Sequence, residues 1–203
     1  YEIGSKNEFL DRALRLNVTG FYYDYTDLQV FRITADGPLT DNAASSTIYG
    51  AEIETNYMVS NKLTLEASAG YLDATYDEYP VGQDNYAGNR LNYSPEWTKS
   101  VAATYVTPIA DDADLIARID WSYRSEIDFD RANGDFDKQD AYGIVNARIR
   151  YDTDNWFFEI FGKNLAGTEY YTGQLINPAF ACGCRTVNIG NPRTYGVNFG
   201  ARY

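Results

Sequence analysis

The sequence predicts an all-β fold, an antiparallel transmembrane β-barrel present as a fragment of about nine strands from a larger barrel. Three observations predict it. Apolar and polar residues alternate with a period of two in segment after segment, the mark of strands whose two faces meet different solvents. The connections between segments alternate short and long through all eight, as in a barrel with short periplasmic turns and long external loops. The polar face of several segments also carries charge at successive inward positions, which a dry sandwich core would not accept unpaired.

The elements follow in order. Tyr1 to about Phe9 opens in mid-strand, and Leu10-Asp11 turns it into Arg12 to Ile33, where Leu14, Leu16, Val18, Gly20 and Tyr22 share a face. Residues 35–46 are rich in turn formers and read as a long polar loop. Thr47 to Met58 alternates again, and after a turn at Val59-Ser60-Asn61 the face Leu63, Leu65, Ala67, Ala69, Tyr71 completes a hairpin. Asp77 to Glu96 reads as a second long loop, followed by a strand from Trp97 to Thr107 and a brief turn over Pro108–Asp112.

Leu115, Ala117, Ile119, Trp121 and Tyr123 then oppose Arg118, Asp120, Ser122 and Arg124, the clearest amphipathic strand in the chain. A third long loop, Asp128 to Gln139, leads to Val145, Ala147, Ile149 and Tyr151 on one face. Asp152 to Asn155 reads as a four-residue turn. It would pair Tyr151 with Trp156 and set Arg148 opposite Glu159, both pointing inward. Trp156, Phe158 and Ile160 continue the outer face, the fourth long loop spans Gly173 to Pro192, and the last strand runs from Arg193 to Tyr203.

Composition excludes several function classes. The net charge of −12 argues against a nucleic-acid partner. Histidine is absent, which removes His-based hydrolytic triads and the commonest metal ligand at neutral pH. Mean hydropathy is −0.45, and no apolar run approaches the roughly 18 residues that a spanning helix needs. Yet the chain holds 19 Tyr, 10 Phe and 3 Trp, rings that suit the boundary between oil and water.

An odd strand count with the last strand ending on the periplasmic side places Tyr1 outside, whereas single-chain bacterial barrels have even strand numbers. The chain therefore reads as the C-terminal portion of a longer barrel. Its two unpaired edge strands would each leave backbone groups open in hydrocarbon, and closing them directly would press charged side chains into a narrow interior.

Five stretches carry a family resemblance: F-Y-Y-D-Y-T-D-L-Q-V (21–30), Y-G-A-E-I-E (49–54), N-R-L-N-Y-S-P-E-W (89–97), F-G-K-N-L-A-G-T-E-Y-Y (161–171) and the terminal R-T-Y-G-V-N-F-G-A-R-Y. In this order they resemble the C-terminal barrel portion of the TonB-dependent receptors of Gram-negative outer membranes, over the whole of residues 1–203. The resemblance implies a barrel of about 22 strands closed by an N-terminal plug. It implies active import of a scarce nutrient such as a ferric siderophore, energised by the TonB complex through the missing N-terminal part. The implied partners are outer-membrane lipid, the barrel-assembly machinery and a small-molecule or metal-chelate ligand, with no enzymatic activity and no cofactor. The alternatives are a passive porin and a soluble carbohydrate-binding or adhesive β-domain.

Candidate residues fall into four groups. Glu52, Glu54, Glu66, Arg118, Asp120, Arg124, Arg148, Arg150, Glu159, Lys163 and Arg202 are expected to point inward as wall charges, paired across strands or facing lumen water. Residues two apart on a strand lie about 7 Å apart, so Glu52 and Glu54 make no metal site. Tyr22, Tyr57, Tyr71, Tyr105, Tyr123, Tyr151, Trp156 and Tyr203 are expected at the two interfaces, and an aromatic sugar site would instead use Tyr79, Tyr86 and Phe180. The terminal face Tyr195, Val197, Phe199, Tyr203 resembles the signal read by the insertion machinery. Cys182 and Cys184 are expected in an external loop and, in an oxidising exterior, to be disulfide-bonded to each other or poised to be.

Overall fold

A computed structural model describes residues 1–34, 37–176 and 185–202. Its elements in chain order are β1 (Glu2–Phe9), β2 (Leu14–Thr34), β3 (Gly37–Met58), β4 (Leu63–Glu78), β5 (Pro80–Val81), β6 (Asp84–Asn85), β7 (Trp97–Ala110), β8 (Ala113–Arg124), β9 (Ile127–Asp128), β10 (Lys138–Gln139), β11 (Tyr142–Thr153), β12 (Trp156–Lys163), β13 (Tyr171–Ile176), β14 (Arg185–Ile189) and β15 (Thr194–Ala201). Nine of these form one antiparallel sheet in the order β1-β2-β3-β4-β7-β8-β11-β12-β15. The remaining six pair locally, as β5 with β6, β9 with β10 and β13 with β14, inside the long connections.

Register carries the alternation from strand to strand. Phe199 lies opposite Phe158, Ile160 opposite both Val197 and Ile149, Ile149 opposite Ala117, and Ala117 opposite Tyr105. Tyr105 in turn faces Leu63, Leu65 faces Tyr57, and Tyr57 faces Leu14. Residues directly opposite share a face, so the apolar rows of eight strands, from β15 back to β2, merge into one continuous surface, and β1 borders it with the mixed row Ile3, Ser5, Asn7 and Phe9. That surface is uncovered: Ile119 is 52%, Ile149 55% and Ile160 55% exposed. A patch of this extent on a water-facing domain would drive aggregation; hydrocarbon is its natural solvent.

The short connections lie together at one end. At Leu10, Asp11 and Arg12 the backbone turns through positive φ values of 53°, 53° and 69°, and β2 therefore begins at Leu14, later than the sequence suggests. The turn expected at Pro108–Asp112 is confined to Asp111 and Asp112, because Pro108 stays in the ladder opposite Asp114 with a register shift before Ala110.

Two expectations are corrected. Residues 37–46, read as a long loop, belong to β3, and β2 and β3 form a hairpin of 21 and 22 residues. At about 3.4 Å per residue it extends some 70 Å, far beyond the ~10 residues that cross a bilayer. Turn-forming residues fit there because that part of the ladder lies beyond the length that a bilayer spans, where no apolar row is demanded. It is irregular, with shifts between Tyr25 and Leu28 and between Leu28 and Gln29, and Asp27 at φ 56°.

The second correction is register. Tyr151 faces Phe158, Arg150 faces Glu159 and Arg148 faces Phe161, so the β11–β12 ladder is displaced by two residues from the expected pairing. Asp152 is in the strand, opposite Phe157. The turn tightens because the Thr153 hydroxyl spans it, donating to the Trp156 carbonyl at 2.8 Å and accepting from the Trp156 amide at 3.1 Å. Tyr151 and Trp156 still meet, as stacked rings 5.1 Å apart on the diagonal.

Candidate functional site

The inward face of the wall gathers most of the charges expected there. Arg118 reaches across β7 to Glu66 on β4, donates to the Thr104 hydroxyl at 2.9 Å on the way, and has Asp120 at 3.9 Å. This arrangement answers a local problem. Arg118 sits directly opposite Arg148 in the ladder, and like charges in that position repel. Asp120 is held by the Asn146 amide at 2.8 Å. Glu159, side chain 11% exposed, accepts from Asn198 at 2.9 Å and has Arg148 diagonally at 3.9 Å.

Nearer the short turns, Arg150 and Arg202 converge on one oxygen of Asp152 at 3.1 and 2.8 Å, and Arg202 also donates to the Thr153 carbonyl at 2.8 Å. The Arg150 guanidinium lies 3.7 Å from the centre of the Phe157 ring. Phe157 and Phe161 in turn lie over Gly200 and Gly196, where an added Cβ would strike the rings. Asn17 reaches Glu54 at 3.5 Å, the limit of a hydrogen bond. Among the described residues Glu52, Arg124 and Lys163 enter no ion pair; Lys163 rests 5.5 Å from the Phe161 ring. Asp152 is the inward residue the sequence reading missed, because Asp in D-T-D-N reads as a turn former.

The long connections make a second construction at the external end, and the buried core of the chain is there. Tyr76 (3% exposed) and Tyr79 (1%) pack with Leu28, Val30, Val81, Tyr86 and Leu91. Burial pushes the Tyr76 hydroxyl up to about 12, with the Tyr79 hydroxyl beside it adding to the rise. Arg131 lies over the Tyr79 and Tyr86 rings at 5.7 and 5.2 Å. Tyr79 is thus interior packing and has no face free for a sugar. Phe180, Cys182, Cys184 and Tyr203 lie outside the described residues.

Loop-to-loop hydrogen bonds tie this platform together. Asn89 donates to the Arg131 carbonyl at 2.8 Å, Asn133 accepts from the Arg90 amide at 2.7 Å, and the Tyr93 amide reaches the Asp128 carbonyl at 2.9 Å. Asp137 joins the third loop to the fourth through Gln174 at 2.8 Å and Arg185 at 3.1 Å. Burial raises the Asp128 carboxyl, which is 4% exposed as a residue and keeps one oxygen without a hydrogen-bond partner.

The segment F-G-K-N-L-A-G-T-E-Y-Y has a clear structural role. Asn164 (3% exposed, φ 49°) takes the Thr168 amide at 2.9 Å and donates to the Thr168 and Asn191 carbonyls at 2.8 and 3.1 Å. Its own amide is bound by Asn146 at 3.0 Å, and Thr168 bonds the Gly143 carbonyl at 3.0 Å. One buried amide therefore locks the exit of β12 to β11 and to the start of β15.

On the outward face the expected aromatics form two bands. Tyr22, Tyr71 and Tyr123 lie toward the external end, and Tyr57, Tyr105, Tyr151 and Trp156 toward the turns. Of the terminal face expected to serve as an assembly signal, Tyr195, Val197 and Phe199 point outward at 67%, 65% and 70% exposure.

Comparison with known proteins places this geometry. Residues 1–168 match the family described as TonB dependent receptor-like, beta-barrel. The chain is 26% identical over 209 residues to the probable TonB-dependent siderophore receptor PiuA of Acinetobacter baumannii, covering 98% of this chain and 26% of that protein. The crystal structure of the ferric yersiniabactin uptake receptor FyuA from Yersinia pestis superposes with a TM-score of 0.80 at 19% identity, over 98% of this chain and 29% of that one. The copper transporter OprC superposes at 0.72 and 18% identity, over 98% and 31%. The chain thus spans less than a third of the proteins it resembles, and at these identities the structural likeness speaks for the fold.

Proposed function

Because this chain belongs to the TonB-dependent receptor-like β-barrel family, we propose that it forms the C-terminal wall of a Gram-negative outer-membrane receptor that imports a scarce nutrient, with a ferric siderophore as the favoured class. The observation that carries this reading is the pairing of one continuous apolar face over the eight strands from β2 to β15 with a charge-laden opposite face. Such a wall needs lipid on one side and a wet lumen on the other. The apolar face needs hydrocarbon, and the ion pairs of the inner face are cheap only where water or polar protein meets them.

Transport by such a wall involves no covalent step. In this reading the platform over the lumen gives the ligand its first contacts, the inner face offers a polar path, and the TonB complex supplies energy through an N-terminal part of the parent protein. Substrate choice does not follow from the wall. Its fold is shared with proteins described as a ferric yersiniabactin uptake receptor and a copper transporter.

Uptake of radiolabelled iron tests the proposal. Cells carrying the parent protein and a matched ferric siderophore should accumulate iron, and loss of the TonB complex should abolish uptake. Uptake that persists without TonB identifies a passive pore. The terminal face Tyr195, Val197, Phe199, together with Tyr203, is assigned to recognition by the assembly machinery. Deleting Tyr203 should lower the amount of inserted, heat-modifiable barrel, and an unchanged amount refutes that assignment.

A further inference from the structure

Among the residues whose side chains the structure describes, the outward rows of the wall strands hold one cationic side chain, Lys99. It stands on β7 opposite Tyr123 on β8 and Ala69 on β4. Trp97, the first residue of β7 at its external end, is two positions further out, a rise of about 7 Å. The height is that of the external aromatic band.

The surroundings orient the charge without neutralising it. The ammonium nitrogen is 5.0 Å from the centre of the Trp97 ring and 5.6 Å from that of Tyr123. Trp97 meets Tyr71 at 5.0 Å, and Tyr123 stacks on Trp121 at 5.9 Å, so two aromatic pairs on β4, β7 and β8 flank Lys99, which bridges them. No carboxylate pairs with Lys99 among the described residues. The nearby acids are engaged: Asp73 accepts from the Tyr49 hydroxyl at 2.8 Å, and Glu96 pairs with Arg90 at 3.5 Å.

A Lys on the lipid face is costly at the midplane and close to free at the interface. The tetramethylene stem can lie along the rings while the ammonium meets the headgroups. The cation lacks a counter-charge in the described protein, and at this height the group able to supply one is the phosphate of a lipid.

We propose that Lys99, Trp97 and Tyr123 form a binding site for the phosphate headgroup of an outer-leaflet lipid, a role independent of the nutrient carried. The proposal rests on the reading that this face meets lipid. The phosphate accepts from the ammonium, and the rings pack against the glycerol or sugar next to it.

Native mass spectrometry of the full-length receptor in mild detergent tests it, with dilauroyl phosphatidic acid as probe and dilauroylglycerol as the same lipid without phosphate. Phosphatidic acid should be retained, dilauroylglycerol should not, and Lys99→Gln should lower retention about fivefold, as expected for one lysine near a charged surface. Lys99→Arg should retain binding, and each variant is first confirmed folded by heat-modifiability on a gel. Equal retention by Lys99→Gln, or of the two lipids, overturns the proposal. So does displacement by inorganic phosphate at equal concentration, which would indicate a simple anion site. A spin label at Ile119→Cys separates the two readings: without relaxation by membrane-dissolved oxygen the face does not meet lipid, and the wall assignment itself fails.

Discussion

The wall and the external platform are built on opposite principles. In the wall the apolar residues are turned outward and left exposed, and the ordered interactions are backbone ladders and paired charges on the inner face. In the platform the apolar residues are turned inward, as in a water-soluble protein, and the largest buried rings of the chain, Tyr76 and Tyr79, lie there. The difference shows where water is: only the platform gains from burying rings, because only there is water the competing solvent. A protein of this kind has two stability problems, and substitutions should separate them.

The largest effect is expected in the platform. Tyr79→Ala deletes a ring that is 1% exposed and touches both Tyr76 and Tyr86, and large-to-small changes at such sites cost about 3–5 kcal/mol. The loss should be confined to the external end: hydrogen exchange should accelerate in residues 79–96 and 128–139 while the barrel remains heat-modifiable. Collapse of the whole barrel would show the two regions to be one cooperative unit.

The matching test in the wall inverts the chemistry. Ile119→Arg places a charge in the middle of the outer face and should destabilise the barrel by about 2–4 kcal/mol in urea titrations in vesicles. Ser122→Arg, one face over, should change little. Equal costs would mean that the two faces do not meet different solvents.

Asn164→Ala sits at the junction. It strips partners from the Thr168 amide and from the Thr168 and Asn191 carbonyls, and each buried group left unpaired costs on the order of 1–3 kcal/mol, less where water enters. The expected result is increased proteolysis of the segment joining β12 to β15 with the ladders of β1 to β8 unaffected.

A smaller effect tests the inner-face register. Arg150 and Glu159 are directly opposite, whereas Arg148 meets Glu159 on the diagonal. A double-mutant cycle between Arg148 and Glu159 should return at most about 0.2–1 kcal/mol, reduced further in a wet lumen. A coupling well above that range would favour the register expected from the sequence, with Arg148 directly opposite Glu159.

The smallest effect is spectroscopic and concerns a single tyrosine. Tyr76 titrates at about 12 when folded and near the ordinary value of 10.0 when the platform is open. Below pH 10 the phenol is neutral in both states, so it contributes no pH dependence. Between pH 10 and 12 the open form ionises while the packed form does not, so the platform weakens as pH rises through that window. In difference spectra at 295 nm, Tyr76→Phe should remove a late component of the tyrosinate titration; an unchanged profile would place Tyr76 in water.

What was legible in the sequence was whatever a period of two encodes. Which face of each wall strand is apolar, the number of wall strands, the two aromatic bands and the inward set from Glu52 to Arg202 all follow from alternation, because every second side chain of a strand must share a solvent. That local rule is indifferent to a slip of two residues, which keeps every side chain on its face. The Arg150–Glu159 opposition was therefore decided only in the tertiary structure, where the Thr153 hydroxyl closes the turn. The same limit hid the long β2–β3 hairpin and the burial of Tyr79. The hairpin is extended by its own ladder and Tyr79 is buried by neighbouring loops, both beyond the bilayer-spanning length, where alternation stops carrying information because no single solvent lies on each side of the chain.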